Sequence, residues 1–377
     1  MTDIFTDFIS TELDSLALKK LLRVLKTSDN DVEFINVSTN DYLGLSKNIE
    51  IAKAGFEAAL LYGSGGQSSR LVTGNHLIIE ELEYALQEWL RYERCLCYSS
   101  GFQLNHSVLK ALGSNNTIFF IDKLAHNSLI TGALDSEAVV KRFRHNDINH
   151  LEDLLKKDKY LNSSSNKIKW IIAESIYSMD GDEAPLIELS DLAKKYDCEL
   201  YIDEAHAIGI TGEKGRGLSE KIKPTVFIGT FGKAFGTNGA FIASNKKVID
   251  FLINRANGFI YSTAISPFLA GASLKSLELM QNMDTERSQL ICYANSLRKT
   301  LNLETHSTRS CIVPWIIGGE QETMDVSTIL KQARITAIAI RPPTVPIGTS
   351  RIRFSLSASL EKQDLKRVVN FIKTCLQ

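Results

Sequence analysis

From Glu80 onward the chain alternates between stretches with an apolar residue every three or four positions and short runs that are apolar throughout. IEELEYALQEWLRYE, FQLNHSVLKALG, EDLLKKDK and LIELSDLAKKYD carry the helical spacing. CLCYS, TIFFID, AVVKRF, KWIIAES, CELYID, VFIGT and GAFIAS are short, rich in β-branched and aromatic residues, and predict strands. Apolar runs without polar alternation suit strands covered on both faces, so the rhythm predicts an α/β fold: a mostly parallel central sheet covered by helices. Ahead of it, a polar arm over about residues 1–35 predicts a helix, and FINVSTNDYLGL a short strand and turn. YLNSSSNK (Tyr160 to Lys167) predicts a polar loop. After about Ser266-Pro267 the pattern changes: a long helical stretch through SLKSLELM and SLRKTL leads to a smaller α+β region ending in RVVNFIKTC. The expected organisation is an arm (1–40), a large domain (41–265) and a small C-terminal α+β domain (266–377).

Composition narrows the function class. With 377 residues, 44% apolar and 23% charged, the chain can bury a sizeable core. Lys+Arg (43) nearly balances Asp+Glu (44), so no basic field points to nucleic acid. MTDIFTDFISTEL carries acids where a signal peptide carries positive charge, and no apolar run approaches the ~20 residues of a membrane span, so a cytoplasmic protein without a membrane partner is expected. The six cysteines are scattered with no C-x-x-C pair, and no metal site is expected. Cys95 and Cys97 read as small buried residues. No partner for His76, His106, His145, His150 or His306 is evident in the sequence.

Candidate chemistry is concentrated between Tyr201 and Gly236, where YIDEAHAIG and VFIGTFGKAFG place Asp203, His206 and Lys233 just past two predicted strands. In open α/β sheets ligands bind beyond the carboxyl ends of strands. A lysine and an aspartate delivered there are what pyridoxal phosphate chemistry requires: the amine condenses with the cofactor aldehyde, and the carboxylate keeps the ring nitrogen protonated as an electron sink. Alone, Asp203 reads as a turn residue, His206 as a core histidine and Lys233 as a surface lysine; together, in this order, they read as a site. SSGFQLN runs from strand to helix, so the Gly101 and Phe102 amides can face a phosphate. GSGGQSSR lacks the GK[ST] ending of a nucleotide-binding P-loop. His126 follows TIFFIDKL at another strand end, and SIYSMDGD offers Ser178.

STNDYLGLS, SGFQLN, DKLAHNSL, ESIYSMDGDEAPL, DEAHAIGITGEKGRG, TFGKAFG, YSTA and RPPTVPIGTSRIRFSLSA occur in this order. From about Asn36 to the C-terminus the chain resembles the α-oxoamine synthases, fold-type I pyridoxal phosphate transferases that condense an amino acid with an acyl thioester and release carbon dioxide. RPPTVPIGT resembles the branch that joins L-alanine to a pimeloyl thioester on the way to biotin.

The resemblance implies Lys233 as the covalent anchor of the cofactor, Asp203 as partner of its ring nitrogen, His126 stacked on the ring, and His206 with Ser178 at its phenolic oxygen. It implies Gly101, Phe102 and Thr230 near the phosphate, with Thr344 contributed by the partner of a homodimer. Asn40 and Arg353 resemble the groups that hold the substrate carboxylate, His126 also lies on the substrate side, and Glu174 resembles a supporting acid near the ring. A basic residue for the pimeloyl end is open among Lys19, Lys20 and Arg23, and the acyl carrier is open between coenzyme A and acyl carrier protein. Ala207 stands where many relatives carry glycine, a change expected to crowd the turn after His206. The alternatives are another α-oxoamine synthase with a different amino acid or acyl chain, and a catalytically silent subunit of the same fold.

Overall fold

Side chains of successive strand residues point to opposite faces, and the central sheet sorts its residues accordingly. Ile118, Phe120, Ile171, Ala173, Leu200 and Ile202 are buried in one core; their neighbours Phe119, Ile121, Trp170, Ile172 and Tyr201 are buried in another. The computed structural model describes residues 3–19, 21–25, 34–161, 167–303 and 308–375. Lys20, His306 and most of the polar loop expected at 160–167 lie outside the described residues.

In chain order, helix α1 (Ile4–Leu18) and strand β1 (Ile35–Asn36) precede helices α2 (Ile49–Tyr62) and α3 (Leu77–Leu90). The alternating region runs β2 (Arg94–Tyr98), α4 (Gly101–Leu112), β3 (Thr117–Asp122), α5 (Asn127–Leu134), β4 (Val139–Phe143), α6 (Ile148–Leu161), β5 (Ile168–Glu174), α7 (Leu186–Tyr196), β6 (Glu199–Asp203), β7 (Val226–Thr230) and β8 (Ala240–Ser244). Helices α8 (Lys246–Arg255), α9 (Asn257–Ile260), α10 (Pro267–Met280) and α11 (Asp284–Thr300) follow. The chain continues with β9 (Ile312–Gly318), α12 (Glu320–Gln332), β10 (Ile335–Thr336), β11 (Ile338–Ile340), β12 (Ser350–Ser355) and α13 (Lys362–Cys375).

The seven-stranded sheet has the order β2-β8-β7-β6-β5-β3-β4, and β8 alone runs antiparallel to its neighbours. This is the mostly parallel sheet with helices that the pattern predicts. Residues of α4, α5 and α8 share one core, and residues of α6 and α7 the other. A second sheet, β11-β12-β9, is antiparallel. The helical stretch after Ser266-Pro267 is two helices, separated at Gln281, Asn282 and Met283. Helix α10 packs closely on α2 through small residues: a Cβ on Gly271 would stand 2.6 Å from the Ala58 Cβ.

Polar groups at the carboxyl edge of the large sheet are held by buried bonds. The Glu204 carboxylate, fully buried, accepts Leu218 N–H (3.0 Å), Ser219 N–H (2.6 Å) and the Ser175 hydroxyl (2.8 Å), which secures the loop after β6. The crowding expected at Ala207 does not arise, because the left-handed residue in this turn is Gly209 (φ 82°). Histidine 145, just past β4, does have partners: Nδ1 meets Asp122 at 2.9 Å and Nε2 meets Asp182 at 2.8 Å, with Tyr177 edge-on against the ring. It thus ties the ends of β3 and β4 to the turn after β5.

Burial pulls the His145 imidazolium toward deprotonation, but the hydrogen bonds to Asp122 and Asp182 outweigh it and push its pKa up to about 10. A group whose folded pKa is raised stabilises fully below its unfolded value and loses that contribution as pH rises through the folded value. Urea unfolding between about pH 6 and 10 should therefore show wild type losing stability relative to His145→Gln across this window. A constant difference between the two curves would refute the clamp.

Candidate active site

Lys233 and His206 follow adjacent parallel strands, β7 and β6, which brings residues far apart in sequence to one edge. Lys233 Nζ lies 2.8 Å from His206 Nε2, and His206 Nδ1 lies 2.6 Å from the hydroxyl of Tyr42. Tyr42 is wholly buried and His206 nearly so, while Lys233 is half-buried. Burial pushes the Lys233 amine down to about 8, against the upward pull of the Asp203 and Glu174 carboxylates; Arg353 adds to the depression. Burial, reinforced by the positive charges of Lys233 and Arg353, holds His206 well below the ordinary histidine range.

Asp203 ends β6 with its carboxylate fixed from two sides. Oδ2 accepts the Asn105 amide at 2.7 Å and Oδ1 accepts Ala205 N–H at 2.9 Å. Asn105 is itself saturated: its second N–H reaches Ser128 Oγ at 3.0 Å, and its carbonyl accepts the Tyr201 hydroxyl at 2.7 Å. A buried acid with this many fixed partners is a charge held in one place.

His126 caps α5, its Nδ1 accepting Ser128 N–H at 3.2 Å, and it stands exposed beside the cluster. Its N–H donates to Glu174 Oε1 at 2.6 Å. Although the residue as a whole is exposed, the packing of its ring against the cluster takes water from the imidazole and lowers the His126 pKa, with Asp203 opposing and Lys233 assisting. Glu174, at the end of β5, is pushed well above the usual carboxyl range by burial and then by Asp203. Two neighbouring carboxyls therefore sit in different environments.

Arg353 on β12 reaches from the small sheet to the large one. Its Nε donates to the Ser178 carbonyl at 2.6 Å, and Nη1 makes a 3.4 Å contact with Asn40 Oδ1. Ser178 thus takes part through its backbone. Asn40 is exposed and also lies 3.3 Å from the Tyr42 hydroxyl. The remaining guanidinium donors of Arg353 suit a carboxylate, which can take two parallel bonds from such a fork.

Gly101 and Phe102 open α4, where first-turn N–H groups have no acceptor within the helix. A Cβ on Gly101 would lie 4.0 Å from Thr230 Oγ1, so the α4 start and the β7 end stand side by side. Thr230 Oγ1 donates to Gly239 O (3.0 Å) and accepts Gly232 N–H (3.2 Å). The Phe102 ring turns outward and stacks on His106, leaving its N–H as its contribution.

Thr344 is not joined to this cluster. It lies exposed between β11 and β12, and its hydroxyl accepts a 3.1 Å bond from Arg23 Nη2. Lys19 is the exposed C-cap of α1. Tyr42, Asn105, Ser128 and Tyr201 are the residues the sequence reading passed over. For Asn105 a signal was present: it stands four residues after Gly101 on α4 and so shares its face.

A family model described as aminotransferase class I and II matches residues 32–372. A curated protein of Geobacillus kaustophilus, named "Putative 8-amino-7-oxononanoate synthase", is 39% identical over 374 residues, 96% of this chain and 95% of its own length. Among solved structures, serine palmitoyltransferase of Sphingomonas wittichii is 25% identical, with a TM-score of 0.89 over 99% of this chain and 97% of that one. The 8-amino-7-oxononanoate synthase of Francisella tularensis is 26% identical, with a TM-score of 0.75 over 92% of this chain and 100% of that one. Matched over nearly its whole length in sequence and in fold, the chain belongs to the aminotransferase class I and II family.

Proposed function

We propose that the protein is a pyridoxal phosphate-dependent acyltransferase that joins L-alanine to a pimeloyl thioester, with loss of carbon dioxide, to form 8-amino-7-oxononanoate for biotin synthesis. The observation that carries this reading is the meeting of a depressed lysine amine with a pinned carboxylate and an arginine fork at one sheet edge. The residues fit the cofactor. Lys233 supplies an amine for its aldehyde, Asp203 a fixed carboxylate for its ring nitrogen, and His126 an imidazole face. The Gly101 and Phe102 N–H groups at the α4 start, beside Thr230, offer donors for its phosphate. When bound, pyridoxal phosphate supplies a carbonyl for the substrate amine and a cationic ring that accepts the electron pair left at the α-carbon.

The chain's own residues supply the rest. Arg353, aided by Asn40, grips the carboxylate of L-alanine and orients its α-hydrogen. Lys233, with a pKa of about 8, has a deprotonated fraction at neutral pH that can take the α-proton and later return one. His206 receives or gives the hydrogen bond that steadies this amine. Asp203, held by Asn105 and Ala205 N–H, would keep the cofactor's ring nitrogen protonated without reorganising. The thiol leaves with the electron pair of the broken thioester bond as the new carbon–carbon bond forms, and the former alanine carboxyl departs as carbon dioxide. The name of the G. kaustophilus relative supports the acyl assignment.

A pimeloyl thioester ends in a free carboxylate, and Arg23 with Thr344 provides a cation and a hydroxyl for it. Arg23 is thus preferred over Lys19, whose position as an exposed helix cap brings it to no other site residue. The working unit in this reading is a homodimer, supported by the exposed apolar residues Phe56, Leu60, Leu61, Leu71 and Val72 around the end of α2 and the glycine-rich loop that follows. Analytical sedimentation should give twice the chain mass, and an active monomer would refute it. Among the described residues, no helix is long and apolar enough to cross a membrane.

Borohydride reduction of the cofactor-loaded protein, followed by peptide mass spectrometry, should place the pyridoxyl group on Lys233. A label on another lysine would overturn the site. In product assays across pimeloyl, succinyl, acetyl and palmitoyl thioesters, the pimeloyl ester with L-alanine should be preferred. Glycine, one methyl smaller, should be reduced by only about 10–200-fold. Arg23→Ala should raise KM for the pimeloyl ester by roughly tenfold or more and leave kcat nearly unchanged, because truncating a charge-assisted bond costs ~1.5–3 kcal/mol. A preference for succinyl or acetyl esters would move the protein to another branch.

A further inference from the structure

Tyr42 enters the site with a single proton and two acceptors within reach. Its hydroxyl lies 2.6 Å from His206 Nδ1 and 3.3 Å from the exposed Asn40 Oδ1. On the far side of the same imidazole, Nε2 lies 2.8 Å from Lys233 Nζ. The three side chains form a chain of contacts from the half-buried amine to the protein exterior at Asn40.

Two proton arrangements fit the contacts among Lys233, His206 and Tyr42, whose phenol oxygen Arg353 and Ser355 also approach. When Lys233 is an ammonium it must donate to Nε2, so Nδ1 carries the imidazole proton and donates to the Tyr42 oxygen, and the phenol proton turns to Asn40. When Lys233 is a neutral amine it can also accept from Nε2–H, and Nδ1, then bare, takes the phenol proton across the shorter of the two Tyr42 contacts. Burial keeps Tyr42 protonated far above its ordinary range, and His206 stays neutral, so neither arrangement requires a charge on the relay itself. Going from the first to the second is balanced by one proton: the ammonium proton passes to Nε2, the Nδ1 proton to the phenol oxygen, and the original phenol proton leaves at the Asn40 side.

We propose that Tyr42 is the positioning residue for His206: by reversing between donor and acceptor it sets which imidazole nitrogen is protonated, and so lets His206 meet Lys233 in either charge state. This rests on the reading of Lys233 as the reactive amine. The charged and titratable groups around the amine are Asp203 and Glu174 at the ends of β6 and β5, Arg353 on β12, and His126 at the start of α5, which also acts on His206. None of these reaches Nδ1 with a hydrogen bond; among the described residues that nitrogen bonds Tyr42 alone.

The test is solid-state nitrogen NMR of the full chain labelled with ¹⁵N-histidine and freed of cofactor, recorded at about pH 6 and about pH 10, either side of the Lys233 titration. Loss of the signal in His206→Asn assigns it. In wild type the imidazole proton should sit on Nδ1 at the lower pH and on Nε2 at the higher. In Tyr42→Phe it should stay on Nε2 at both, because a buried N–H without an acceptor is costlier than a bare nitrogen, and the Lys233 midpoint should move down. One tautomer at both pH values in wild type, or an unchanged switch in Tyr42→Phe, overturns the proposal. Addition of pyridoxal phosphate separates the two readings. Borohydride-fixed label on Lys233 without a tautomer switch sinks the relay alone; a switch without label on Lys233 upholds the relay and sinks the cofactor assignment.

Discussion

Successive positions at the end of β6 point to opposite sides of the sheet, and this alternation separates two buried carboxylates that adjoin in sequence. Asp203 turns to the side of α4, where Asn105 holds it; Glu204 turns to the loop after β6 and binds Leu218 N–H, Ser219 N–H and Ser175. One acid is committed to the loop, and the other stands at the candidate site. Were the register of β6 to slip by one residue, the two would exchange faces, and both the loop anchor and the site would be lost together.

The same partition explains the electrostatic division among the other groups. Glu174 and Asp203 end neighbouring strands, paired directly across β5 and β6. The burial of Glu174, and after it the repulsion from Asp203, push that acid toward its neutral form. Lys233, from the next strand end, experiences both carboxylates, yet burial still lowers it. The amine is therefore poised by opposing effects of similar kind, so changes in solvent access around Lys233 alter its proton affinity directly.

Much of this was legible in short stretches of sequence. Asp203, His206 and Lys233 each follow an apolar run that ends in a turn, and strand ends in a parallel sheet converge by construction. The seven strands of the large sheet and helices α3, α4, α6 and α7 followed from periodicity alone. What escaped depended on pairs distant along the chain. Tyr42 meets His206 across 164 positions and Asn105 meets Asp203 across 98, so nothing local marks either pair. Helix α2 also went unannounced: its buried face consists of Ile51, Gly55 and Ala58, and packing through small residues gives no strong apolar periodicity. The resemblance assigned Thr344 to the partner's site in a homodimer; within one chain its hydroxyl meets Arg23.

Arg353 spans the two sheets, its Nε fastened to the Ser178 carbonyl and its side chain nearly withdrawn from solvent. A buried guanidinium is stable only with partners, and in the proposed reaction its partner is the group that departs as gas. Once carbon dioxide has left, the product no longer carries the carboxylate that held the amino acid in place. In that reading the arginine that admits the substrate would loosen its grip on what is made from it, and the product would compete poorly with the next molecule of alanine.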